Sequence, residues 1–290
     1  MNTGSGGETH DIPQTAEGFA DADAVDAACG GTYCTISKMY DQSGMGNDLT
    51  VAKGGRSDGG QYAASDDFES KADEDERMVG GHRVYTLYME ARQGYRQTVK
   101  GNGMPRGQEP QGIYMLADGT HWGSACCWDF GNVTEDPKTY HTMNTLFFGT
   151  AYWGRGAGNG PWFMADFEAG VWAGGSNPSD PGWGALDTNA PPNQNNPSLG
   201  VPFAIGFLKT DTNYALRMAD LQSASDLTTA YEGPLPKPMD NQGAVVIGVG
   251  GDNSNNSWGT FYEGAIVKGY PADATELAVM QNVKAAGYGQ

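Results

Sequence analysis

GVGGDNSNNSWGTFYEG, residues 248–264, separates two apolar runs and decides the fold class. Before it, Ala244, Val245, Val246, Ile247 and Val249 have the β-branched density of a buried strand, and residues 260–267 after it read as a second strand. The stretch between holds three asparagines and five glycines, and it leaves Asp252 at a strand end. Glycines on the N-terminal side of Asp252 let the backbone take positive φ and let a sugar-sized ligand approach the main chain. The plainer reading is a Gly/Asn hairpin turn with a solvated aspartate.

Outward from this stretch, 290 residues with 38% hydrophobic content suffice for one large β domain or two small ones. With 44 glycines, 15 prolines and only 18% charged residues, the chain is no helical bundle, whose surface needs many Glu and Lys. Lys and Arg number 17 against 35 Asp and Glu, a net charge of -18 that opposes polyanions. Nucleic acid and anionic membrane are therefore excluded as expected partners. Seven Trp and 14 Tyr suit neutral carbohydrate, which aromatic rings and Asn/Asp side chains recognise without net charge.

No apolar run reaches the roughly 18 residues of a transmembrane helix. Residues 1–20 are polar and turn-rich, lack the apolar core of a signal peptide, and read as an unstructured lead-in to one domain over residues 21–290. The cysteines fall in two local pairs, Cys29 near Cys34 and Cys126 beside Cys127, and His10, His82, His121 and His141 are scattered. This distribution argues against a zinc site, so neither metal nor cofactor is expected. An even count fits disulfides formed in an oxidising compartment. For the adjacent pair the alternatives are two buried thiols or a vicinal disulfide, which closes an eight-membered ring.

Strands are expected at residues 34–40, 82–89, 112–116, 144–151, 162–172, 202–208 and 214–219, between Gly, Asn and Pro breaks, as in a sandwich. A short helix is expected over residues 20–29, and a longer one near the end, where Asp273 and Glu276 have capping-box spacing ahead of Leu277, Met280 and Val283. Residues 54–78 read as an acidic surface excursion. Residues 175–200, rich in Asn and Pro, are long enough for a functional loop over a binding face.

The second chemical stretch is PWFMADFEAGVWAG, residues 161–174. Strand alternation puts Trp162, Met164, Asp166 and Glu168 on one face and Phe163, Ala165 and Phe167 on the other. An exposed acidic strand face is the ordinary alternative. Glycoside hydrolysis, however, needs two carboxyl groups across the scissile bond, about 5 Å apart when configuration is retained. Glu168 and Asp252, from separate strands, could meet that need. GRGAGNG, residues 154–160, lacks the Lys-Ser/Thr of a phosphate loop.

YDQSGMGNDLT (40–50), CCWDFGN (126–132), YWGRGAGNGPWFMADFE (152–168) and GGDNSNNSWGTFYEG with GYPADATE up to residue 276 together resemble the catalytic domain of family 54 glycoside hydrolases, the α-L-arabinofuranosidase B type. The likeness runs from about residue 29 to 288. It implies an all-β fold, a β-sandwich of concanavalin or jelly-roll kind with long loops and a short C-terminal helix. It also implies a secreted, retaining exo-enzyme that removes terminal arabinofuranose from arabinoxylan or arabinan, and a monomer is expected. By motif match Glu168 is the nucleophile and Asp252 the acid/base. Trp153, Asp166, Ala169 and Gly251 are sugar-contacting positions, Cys126 and Cys127 a vicinal disulfide under the sugar, and Cys29 with Cys34 a short-loop disulfide.

The sequence departs from the family pattern in three ways. Ala169 stands where asparagine is usual after the nucleophile, and Asp48 replaces the histidine of YDQSGxGNHLT. The family's opening segment and its C-terminal arabinose-binding module are not found in these residues. The resemblance leaves two further readings: a non-catalytic sugar-binding domain on the same fold, and a related furanosidase or β-xylosidase.

Overall fold

The structure, a computed structural model, describes residues 7–56, 62–139, 142–151, 154–167, 170–177, 179–182 and 191–290. The first half of the described chain gives α1 (Ala22–Cys29), β1 (Lys38–Met39), β2 (Leu49–Val51), β3 (Glu76–Val79), β4 (His82–Tyr85), β5 (Leu87–Met89), β6 (Tyr95–Arg96), β7 (Gln111–Trp122) and β8 (Asp129–Val133). The second half gives β9 (Met143–Gly149), β10 (Trp162–Asp166), β11 (Val171–Trp172), β12 (Ala204–Thr210), β13 (Asn213–Asp220), β14 (Thr228–Pro234), β15 (Ala244–Ile247), β16 (Gly259–Lys268) and α2 (Asp273–Ala285).

The strands pair antiparallel into an eight-stranded sheet, β1-β2-β6-β15-β8-β9-β10-β11, and a six-stranded sheet, β14-β13-β12-β7-β16-β5, beside a β3-β4 hairpin. Phe130, Leu146, Phe148, Phe163, Ala165, Val245 and Ile247 of the larger sheet meet Met89, Ile113, Met115, Leu208, Tyr214, Leu216 and Phe261 of the smaller in one core. Each such large side chain contributes about 1.5–3 kcal/mol when buried. The expected all-β sandwich is the fold observed.

The inward residues of β10 are those that strand alternation picks out, with Phe163 and Ala165 in the inter-sheet core. Trp162 and Met164 point to the outer face of the larger sheet, where they pack with Phe147, Cys127, Val171 and Ala173. That outer face is buried too, beneath loops, and it carries the candidate site. The expected strand over residues 162–172 is broken: β10 ends at Asp166, and the Phe167 N–H bonds to the Gly170 carbonyl at 3.3 Å, turning the chain back into β11. The expected strand at 34–40 shortens to β1.

Helix α2 covers the outer face of the smaller sheet, with Met280 and Val283 against Leu116, Ile205 and Phe207. Its N-cap is Ala272, with no side-chain cap, so Asp273 and Glu276 form no capping box. They are drawn instead to buried cations. Arg217 Nη1 lies 2.9 Å and Lys209 Nζ 3.3 Å from Glu276 Oε2, and Lys209 Nζ lies 2.6 Å from Asp273 Oδ1.

Two other expectations change. Within the segment read as a surface excursion, Ala63, Asp67, Ser70 and Ala72 are buried. Residues 7–20, although without helix or strand, are packed: Gln14 bridges Ala20, Phe19 stacks on His82, and Tyr40 donates to Asp11 at 2.7 Å.

Candidate active site

Strand register builds the floor of the site. Thr50, Arg96, Val246, Gly131, Thr145 and Asp166 form one row across β2, β6, β15, β8, β9 and β10. Residues aligned in this way share a face. Arg96 and Asp166 thus lie on the outer face of the larger sheet, on β6 and β10, with three strands between them.

Over this floor pass the two loops singled out by their chemistry. Cys126 and Cys127 are joined as a disulfide immediately before β8, and Cys127 Sγ lies 3.6 Å from Asp166 Oδ2. The Cys127 N–H donates to the Ser254 carbonyl at 3.3 Å, and the Asn256 N–H to the Cys126 carbonyl at 3.3 Å. The cysteine loop and the loop after β15 are therefore laced together by main chain. Cys29 and Cys34 form the second disulfide, beneath α1 and away from this floor.

Asp252 is half-buried in that second loop, and its Oδ1 accepts from the Ser254 N–H at 2.9 Å. Several bonds fix the turn around it. The Gly251 N–H points at Met143 Sδ, 2.9 Å away, and the Gly251 carbonyl accepts from Arg96 Nη1 at 3.0 Å. A Cβ on Gly251 would sit 2.6 Å from Met143 Cγ, so any larger residue there would displace that side chain. From the other side the Arg56 N–H reaches the Asp252 carbonyl at 3.1 Å, and at Gly55 a Cβ would meet that oxygen at 2.0 Å. Asn253, at φ 66°, is held by Asp67: Oδ1 accepts from Asn253 Nδ2 at 3.3 Å and from Asn255 Nδ2 at 2.5 Å.

Three buried ionisable groups set the electrostatics. Asp129, at the start of β8, is 1% exposed and faces the Asp166 carboxyl and the Thr145 hydroxyl. Burial, then the charge and contact of Asp166, then the charge of Asp252 push the Asp129 carboxyl well above the ordinary carboxylate range. The Asp129–Asp166 pair therefore titrates as a coupled unit. Asp67 is pushed up to about 6 by burial, against the opposing pull of its Asn255 and Asn253 hydrogen bonds. Arg96, 1% exposed, is pushed down to about 10 by burial, against the pull of Asp252, Asp136 and Asp67.

The metal-like clusters among the described residues are Cys126, Cys127, Asp166 and Cys29, Cys34, Asp73. Both rely on sulfurs consumed in disulfides, whereas a metal takes the free thiolate.

Against this geometry, the family model for the catalytic region of α-L-arabinofuranosidase B matches residues 1–289. The chain belongs to the α-L-arabinofuranosidase B catalytic family. It is similar to a probable α-L-arabinofuranosidase B of Aspergillus fumigatus, 39% identical over 299 residues that cover 99% of this chain and 56% of the relative. It is also similar to an arabinofuranosidase/β-xylosidase of Trichoderma koningii, 38% identical over 99% of this chain and 56% of that protein. A solved arabinofuranosidase complexed with arabinofuranosyl-α-1,2-xylobiose superposes with a TM-score of 0.87 at 36% identity, covering 99% of this chain and 58% of the other. The chain spans a little over half the length of the relatives it matches. The match also takes in the first twenty residues, beyond the limits of the motif resemblance.

Of the arabinofuranosidase B site positions expected from sequence, Cys126, Cys127, Asp166, Gly251 and Asp252 converge on one region of the larger sheet's outer face. Glu168, Ala169 and Trp153 lie outside the described residues. Asp48 sits elsewhere, its carboxylate 2.7 Å from Lys38 Nζ and accepting from the Asp41 N–H at 2.9 Å. Sequence reasoning missed Asp129, Asp67 and Arg96. A signal existed for Asp129, a lone carboxylate entering the apolar strand directly behind the cysteine pair.

Proposed function

We propose that the chain is a retaining, exo-acting α-L-arabinofuranosidase that releases terminal arabinofuranosyl residues from arabinoxylan or arabinan side chains. The observation carrying this reading is the convergence of Asp252, Asp166 and the Cys126–Cys127 disulfide on one loop-covered sheet face in a chain of this family. A disulfide wall beside a carboxyl pair offers a small, rigid floor for one sugar ring, and the half-buried Asp252 sits at its rim.

In this mechanism Glu168 attacks the anomeric carbon while Asp252 protonates the departing glycosidic oxygen. Asp252 then takes a proton from the water that hydrolyses the glycosyl-enzyme. Asp166, beside the disulfide on the floor of the site, accepts hydrogen bonds from sugar hydroxyls. The laced loops fix the distance from Asp252 to the floor. Two disulfides support a secreted protein, and a net charge of -18 supports a monomer that repels its own copies.

A second activity, on xylosides, is favoured by the name of the Trichoderma koningii relative. Release of 4-nitrophenol from the α-L-arabinofuranoside, the β-D-xyloside and the β-D-galactofuranoside separates the readings. The arabinofuranoside is expected to be the preferred substrate. Dominant turnover of the xyloside, or binding without turnover of any of the three, overturns the proposal.

A further inference from the structure

Arg96 is a costly residue in its position. Its guanidinium is buried in the sheet, and among the described residues no carboxylate lies within ion-pair distance of it. Its donors go to three main-chain carbonyls: Nη1 to Gly251 at 3.0 Å, Nη2 to Thr134 at 2.7 Å and Nε to Gln97 at 3.3 Å. A buried cation without a counter-ion costs several kcal/mol, and an apolar side chain filling the same space would serve the fold better. What the guanidinium adds is a fixed link between the end of β8 and the peptide that leads into Asp252. Of the acids whose field it feels, Asp252 contributes most, ahead of Asp136 and Asp67.

We propose that Arg96 is a positioning residue for acid catalysis, holding the Gly251–Asp252 turn so that the Asp252 carboxyl meets the departing glycosidic oxygen. The inference rests on the reading of Asp252 as the acid/base. The planar guanidinium spans Gly251 and Thr134 with separate nitrogens, which one ammonium cannot copy. Freed from it, the turn keeps its Arg56 and Met143 contacts and its lacing to the cysteine loop, and loses its tie to Thr134 at the end of β8. The carboxyl then samples positions from which proton delivery is slow, and displacement of about 1 Å costs on the order of a hundredfold in rate.

The test uses the leaving group as its readout. Proton donation is needed to expel a sugar alcohol but hardly needed to expel 4-nitrophenolate. Values of kcat/KM are measured for arabinofuranosyl-α-1,2-xylobiose and 4-nitrophenyl α-L-arabinofuranoside with wild type, Arg96→Met, Arg96→Lys and Asp252→Ala, together with each Tm. For Arg96→Met the xylobiose substrate is expected to lose at least about tenfold more than the nitrophenyl substrate, with Arg96→Lys in between. Loss of a sugar contact at Gly251, or simple destabilisation, lowers both substrates alike.

Asp252→Ala distinguishes the two layers of the reasoning. If it shows no leaving-group split, the acid/base reading fails. If it shows the split and a folded Arg96 variant does not, the role of Arg96 fails. Should Arg96→Met not fold, Arg96→Lys carries the test, and failure of both to fold makes the guanidinium a folding element and also overturns the proposal.

Discussion

Asp67→Asn isolates the titration of a buried carboxyl that carries the Asp252 turn. Asp67 is 6% exposed, and burial raises it from an ordinary value of 3.8 to about 6. A group whose folded-state pKa is raised contributes stability below its unfolded pKa, and that contribution is lost as pH rises through the folded pKa. The window here is pH 4 to 7. A shift of about 2 units corresponds to about 3 kcal/mol in full, of which about 2 kcal/mol falls between pH 4 and pH 7. Asparagine keeps an oxygen for the Asn253 and Asn255 amides but cannot ionise. The unfolding free energy of Asp67→Asn relative to wild type should therefore rise by about 2 kcal/mol from pH 4 to pH 7. Urea unfolding at pH 4, 5.5 and 7 provides the measurement, because the difference between the two proteins cancels the many shared carboxylates. A constant difference across that range refutes the reasoning, since Asp67 would then titrate alike in both states.

For the carboxyl pair, Asp129→Asn keeps a neutral polar side chain of the same shape beside Asp166 and is expected to stay within about 1 kcal/mol of wild type. Asp129→Ala removes the buried polar group that faces Asp166 and Thr145 and is expected to cost about 1–3 kcal/mol. Equal losses in urea unfolding would mean that Asp129 is ionised in the folded protein. The double variant Cys126→Ala with Cys127→Ala is expected to lose activity while its Tm changes little, because a bond between neighbours closes almost no loop in the unfolded chain. Wild-type activity, or free thiols found in the native protein by peptide mass, would contradict this.

Much of this architecture is legible in the sequence, and the losses have a common cause. The strands around residue 252 and the alternation in β10 follow from side-chain period, which depends only on neighbours in the chain. The convergence of Cys126, Cys127, Asp166 and Asp252 follows from motif resemblance, since no local rule brings β8, β10 and the loop after β15 together. Asp67 and Arg96 escaped because burial of a charge is decided by distant segments. Asp67 stands in an acidic, Gly/Ser-rich stretch that looks solvated, and Arg96 in a strand two residues long. The helix start at Ala272 was misplaced for the same reason. Asp273 and Glu276 have capping spacing, but Lys209 and Arg217 of the smaller sheet offer them stronger partners. Both faces of the larger sheet are covered, so its outer acids could not be recognised as buried from alternation alone.

The most direct test of the proposed carboxyl roles is azide rescue of Glu168→Ala and Asp252→Ala with 4-nitrophenyl α-L-arabinofuranoside, reading the anomeric configuration of the arabinosyl azide by proton NMR. With the nucleophile removed, azide takes its place in the Glu168→Ala protein and the product is the inverted β-azide. With the acid/base removed, Asp252→Ala still forms the glycosyl-enzyme, azide attacks that intermediate, and the product is the retained α-azide. Opposite configurations from the two variants are predicted. Near-native hydrolysis by Glu168→Ala, or the same anomer from both, would contradict the assignment.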